Sequence, residues 1–163
     1  MSAPIAELEK LLSQTVAEHW KLLGGLHEHV EAMKAFRIDA VSAAGDIVEG
    51  SRVRIVMLES RRKNILLQIA RLYKIPATAT LKQIADAAPE HRAILMKRRD
   101  ELREVTSEIA AKTNVSSRVA GALLGHLNTV VRIVAGAMQQ RTGYTKQGTR
   151  AVHSRIGMIE AVG

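Results

Sequence analysis

Ile5-Ala-Glu-Leu8-Glu-Lys-Leu-Leu12-Ser-Gln-Thr15-Val16-Ala-Glu-His19-Trp-Lys-Leu22 is the stretch whose reading decides the fold. Ile5, Leu8, Leu12, Thr15, His19 and Leu22 return at alternating steps of three and four, and Leu26, His29, Met33 and Phe36 continue the beat. That spacing keeps one face of a helix apolar, and Val16, Leu23 and Val30 widen the stripe to the width a bundle helix buries. The pattern predicts a helix over about Pro4–Phe36, with Ser2 as its cap and Pro4 tolerated in the first turn. Gly24-Gly25 lies in the middle, where each glycine costs roughly 1 kcal/mol relative to alanine, and predicts a bend.

Working outward, a second helix is expected over about Asp39–Tyr73, capped by Asp39 and burying Val41, Ala44, Val48, Ile55, Leu58, Ile65, Ile69 and Leu72. Pro76 ends it by disfavouring helical geometry at Ile75. The junction near Asp39 fits either a tight helical hairpin or one bent helix. Residues 76–88 form a corner in which Thr80-Leu-Lys-Gln-Ile-Ala-Asp-Ala reads as a short helix. From Pro89 a third long helix runs to about Gln140, roughly 75–80 Å at 1.5 Å per residue. Its stripe holds Leu95, Leu102, Val105, Ile109, Val119, Leu123, Leu127, Val130 and Val134, and Asn114 to Ser117 marks a kink or break. Residues 142–163, with four glycines and Lys146, Arg150 and Arg155, read as a flexible basic tail. The expected fold is all-α: an elongated antiparallel helical bundle or coiled coil of three long helices over 1–141, with a short corner helix and the tail over 142–163.

Composition points the same way. Aromatic residues are 2% of the 163 and prolines number three, which argues against sandwiches and barrels. The absence of cysteine excludes disulfides, thiolate metal sites and cysteine nucleophiles. No basic flank precedes an apolar stretch at the N-terminus, and His126, Asn128 and Arg132 interrupt the most apolar window; the expectation is a cytoplasmic protein without membrane insertion. Residues 1–50 carry four basic and eight acidic groups, and the remainder twenty and eight, within a net charge of +8.

Catalytic patterns are missing. There is no phosphate-cradling loop, nucleophile elbow or dinucleotide fingerprint, so the expectation is a non-enzyme without a cofactor. His27 and Glu31 share a helix face but lack a third ligand, so no metal site is assigned. The basic cluster of Arg52, Arg54, Arg61, Arg62, Lys63, Arg71 and Lys74 is spread around its helix, and no aromatic platform accompanies it. A solvated or internally paired face is the better reading; a nucleic-acid-associated helical protein stands as the alternative, and a purely structural bundle that oligomerises, for instance as a homodimer, as the third.

Val119 to Met138 holds thirteen apolar residues and three glycines in twenty positions, almost all round a helix. Such a segment requires a second apolar surface over it, either other helices of the same chain or an amphipathic helix of a partner. Gly121 and Gly125 would permit close helix approach.

Leu58-Glu59-Ser60-Arg61-Arg62-Lys63-Asn64-Ile65-Leu66 resembles the Leu-Glu-x-x-Arg-x-x-x-Leu signature of FlgN-type flagellar export chaperones. The corner Leu81-Lys-Gln-Ile-Ala, the long helix with Leu95, Leu102 and Asn114, the stretch Ala122-Leu-Leu-Gly-His-Leu-Asn-Thr-Val-Val, and Gly143-Tyr144-Thr-Lys-Gln-Gly148 follow in the family's order, over about residues 5–150. Where the family carries Asn-x-x-Asn, this chain has Asn114-Val-Ser-Ser117. The resemblance implies a cytoplasmic chaperone without ATPase activity, which holds hook-associated (hook–filament junction) proteins unassembled and delivers them to the flagellar type III export apparatus. Leu123, Leu127, Val130, Val131, Val134 and Met138 are then the expected client contacts, and Tyr144 the expected contact with the export gate.

Overall fold

A computed structural model describes residues 3–141, with side chains through residue 136. Four α-helices account for nearly all of the described residues, and no strand occurs among them: α1 (Ala3–Lys34), α2 (Ile38–Tyr73), α3 (Leu81–Ala87) and α4 (Arg92–Arg141). The all-α expectation holds. The chain divides into two compact units, Met1–Ala120 and Gly121–Gly163. The tail expected from residue 142 lies outside the described residues.

A tight turn, and not one bent helix, joins α1 to α2. Phe36 adopts φ 55, in the left-handed region. Phe36 N–H donates to the Met33 carbonyl (3.1 Å) and Arg37 N–H to that of Ala32 (3.0 Å), the paired bonds that close a helix C-terminus in a Schellman motif. Arg37, not Asp39, occupies the cap position of α2 and makes no side-chain cap bond; Asp39 sits in the first turn, where its charge favours the helix dipole. At the far end Lys74 repeats the left-handed stop, with Ile75 N–H donating to Ala70 (3.1 Å) before Pro76. The corner helix α3 begins with a capping box: Thr80 Oγ1 accepts from Gln83 N–H (3.3 Å), and Gln83 Oε1 accepts from Thr80 N–H (2.8 Å).

The hairpin is antiparallel, since Glu18 meets Arg54 while Gly25 meets Ile47 and Val48. Gly25 is buried, and a Cβ there would stand 3.0 Å from Ile47 Cγ2. The glycine thus serves close packing of α2 against α1 inside a continuous helix. At the open end of the hairpin lies the main core. Ile5, Leu8, Leu11 and Leu12 of α1 pack with Ile65 and Ile69 of α2, Ile84 of α3 and Leu95 of α4. Leu72, expected inside, is exposed, and the neighbouring Ala70 is buried instead.

The first part of α4 runs parallel to α1. His91, just before it, is buried and donates from Nδ1 to Glu9 Oε1 (2.6 Å), and Lys112 Nζ donates to His27 Nδ1 (3.0 Å). The two ties are separated by similar lengths of each helix. Leu95 and Val105 face inward and are fully buried. No break occurs at Asn114–Ser117: α4 continues through them as one helix.

Candidate functional site: an apolar face on α4

Residues 121–136 form regular helix in which every side chain but the half-buried Leu123 is exposed. Leu127, Val130, Val131 and Val134 are 58, 45, 64 and 50% exposed, where burial was the competing expectation. Helical geometry then sorts them. Leu123, Leu127, Val130 and Val134 follow at steps of four, three and four, so they share one face. Val131 and Leu124 widen that face on one flank. Ile133, 66% exposed, flanks it on the other side, and the small or polar Gly121, Gly125, Asn128, Arg132 and Gly136 fall opposite, so apolar surface covers most of the segment's circumference. An added Cβ at Gly121 or Gly125 would meet nothing within 4 Å, so among the described residues neither glycine accommodates a neighbouring helix.

The structure therefore brings Leu123, Leu127, Val130 and Val134 onto one stripe with Val131 at its edge. Met138 continues the sequence of α4, but its side chain lies outside the described residues, as does Tyr144. A four-three-four apolar repeat without a partner is what an amphipathic helix of another molecule can cover. The helical run Pro89–Gly136 also contains an 18-residue window of mean hydropathy 1.4 with none of it buried, enough by length and composition to cross a bilayer.

The signature-like residues of α2 do something different. Glu59 and Arg62 bind each other, with Arg62 Nε donating to Oε1 (3.1 Å) and Oε2 (3.0 Å) and its terminal nitrogen to Oε2 (2.7 Å). Leu58 and Leu66 beside them pack on the core. This clamp borders a cleft of about 300 Å³ with an apolar floor that includes Leu8, Leu12 and Leu81. Arg99 and Arg103 of α4 reach the same mouth, a convergence that linear spacing could not display because it joins residues some forty apart.

Much of the basic charge is internally engaged. Arg54 pairs with Glu18 (2.5 Å), Arg98 with Glu101 (2.7 Å) and Arg99 with Asp100 (2.7 Å), while Arg92 pairs with Asp86. Burial pushes the Glu18 carboxyl up, but hydrogen bonds from Arg54 and Ser51 and the charges of Arg54 and Lys21 outweigh it and hold the group below its ordinary value. Arg61, Lys63, Arg71 and Lys74 form no ion pair among the described residues; by helical spacing Lys63, Arg71 and Lys74 share one side of α2 and Arg61 stands apart from them. Among the described residues no group of three His, Asp or Glu side chains could hold a metal ion. No protein-family model matches the chain, and neither a curated protein nor a solved structure matches it.

Proposed function

We propose that this chain is a flagellar type III export chaperone of the FlgN type: a cytoplasmic, non-enzymatic bundle of three long helices that holds hook-associated proteins and hands them to the export apparatus. The observation that carries the reading is the unpartnered stripe Leu123-Leu127-Val130-Val134 on α4. A hook–filament junction protein before assembly exposes amphipathic terminal helices. Laying the apolar face of one along this stripe removes both surfaces from water, at about 25 cal/mol per Å² of apolar area, and blocks premature association. The order of motifs along the chain supports the same reading, and Tyr144 remains its expected contact with the export gate.

The test is calorimetric titration of the whole protein with the C-terminal helical segment of a hook–filament junction protein from the same genome. Duplex DNA and liposomes serve as parallel ligands. The expected result is saturable peptide binding with a negative heat-capacity change and little response to salt. Leu127→Asp should weaken it at least tenfold, about 1.4 kcal/mol, while circular dichroism stays that of the parent. Salt-sensitive binding to DNA with none to the peptide would replace the proposal by the nucleic-acid reading. Partition into liposomes without peptide binding would turn the stripe toward a membrane.

A further inference from the structure

The outward face of α2 carries a pattern that the hairpin core does not use. Ser51, Ile65 and Ile69 mark the buried side of this helix. On the other side Val53, Met57, Ser60, Asn64 and Leu67 follow at steps of four, three, four and three, all exposed. Val53, Met57 and Leu67 are 51, 62 and 47% exposed, too much apolar surface in one line to be incidental scatter. The charges at the two ends of the line have opposite sign. Asp46 and Glu49 precede it, and Arg71 and Lys74 follow it. Asp46, Arg71 and Lys74 form no ion pair among the described residues, and Glu49 has only a fully solvated contact with Arg52 (3.6 Å).

We propose that this face of α2 pairs with the same face of a second copy of the chain, antiparallel, about a two-fold axis at Ser60. With acid at one end and base at the other, the ends of this line are complementary to those of its own reverse, as an isologous interface requires. With the axis at Ser60, Val53 falls opposite Leu67 of the second copy, Met57 opposite Lys63, Val56 opposite Asn64, Glu49 opposite Arg71, and Asp46 opposite Lys74. A parallel pairing would set acid against acid and base against base. Ser60 is small enough for the helices to approach at the axis. Two features oppose the contact: Arg61 stands beside the axis and meets its own counterpart, and Met57 faces Lys63 of the second copy. Pairing is therefore weak and reversible, as expected for a single helix pair smaller than a standard interface. The surface is separate from the α4 stripe, and the inference does not depend on the chaperone reading.

The test is sedimentation of the full chain over a concentration series, with a monomer–dimer equilibrium expected. Leu67→Asp, at an exposed position that faces Val53 of the second copy, should raise the dimer dissociation constant at least tenfold with helicity unchanged. Glu49→Arg and Arg71→Glu should each weaken the dimer, and the two together should restore it. Arg61→Ala should tighten it. Because the chain has no cysteine, Ser60→Cys provides a clean probe: it should cross-link two copies under mild oxidation, whereas Thr129→Cys on α4 should not. A protein monomeric throughout the series would overturn the proposal. So would association that survives Leu67→Asp but is lost in Leu127→Asp, and so would failure of the doubly swapped variant to recover. Peptide binding measured on the same variants reports separately on the α4 stripe.

Discussion

The two stretches of α4 use one sequence pattern for opposite ends. Leu95, Leu102, Val105 and Ile109 keep the three-and-four beat near its start, and Leu123, Leu127, Val130 and Val134 keep it further along. Leu95 and Val105 are fully buried, whereas Leu127, Val130 and Val134 are open to water. Periodicity thus records that a helix has a face to cover. Whether the cover is part of the same chain depends on where other apolar faces end up. The lesson is that the exposed stretch is built like a core element awaiting its other half, which is why it carries the functional proposal.

The sharpest way to break the comparison is truncation in each stretch. Leu95→Ala should cost about 2–5 kcal/mol in urea unfolding, since it removes packed side-chain volume from a fully buried position. Leu127→Ala should stay within about 0.5 kcal/mol, as for surface sites generally. Equal losses would mean that the open stripe is covered after all.

A smaller effect probes the polar tie on the hairpin. Glu18→Gln should lower stability by about 1 kcal/mol at neutral pH, the scale of a charge-assisted bond discounted because Arg54 remains half in water. The folded-state pKa of Glu18 lies below its ordinary value of 4.5, so the stabilisation is complete above that pH and is lost as pH falls through the lower, folded value. The gap between parent and variant should therefore close on acidification. A gap that widens in acid would reverse the assigned direction. The smallest change concerns the turn. Phe36→Asn should be neutral or stabilising by up to about 1 kcal/mol, because asparagine tolerates the left-handed conformation better and the Phe36 ring is 69% exposed.

Much of this fold was legible in the sequence because its signals are local. The stripe of α1, the stop before Pro76 and the corner helix after Thr80 all rest on spacing or on one residue's backbone restrictions. The hairpin turn was not, since it is made by a phenylalanine and an arginine at positions where glycine or asparagine would have given notice. Asp39 looked like a cap, yet the Schellman geometry places Arg37 there. Leu72 was assigned inside because its spacing from Leu58 and Ile65 fits the stripe, yet at the end of α2 it is exposed, and Ala70, on another side of the helix, is buried. Gly24-Gly25 was read for a bend, whereas the packing role of Gly25, set by Ile47 and Val48 on the facing helix, has no local signal. Of the candidate contacts, the face shared by Leu123, Leu127, Val130 and Val134 could be read from spacing; its exposure could not, because exposure is a property of the rest of the molecule.

The ties of α4 to α1 have a consequence in time. Across the hairpin, the partners nearest the turn are separated by little chain, and the separation grows steadily toward the core, so contacts can close like a zip from Phe36 outward. Glu9–His91 and His27–Lys112 instead bridge 82 and 85 residues, loops whose closure entropy must be met before any of α4's buried side chains gain from contact. The hairpin should therefore be native-like at the rate-limiting step, with α4 settling onto it afterwards. Removing the Leu95 side chain should then speed unfolding far more than it slows folding, and the protein's lifetime, rather than its rate of formation, would be set by the helix that arrives last.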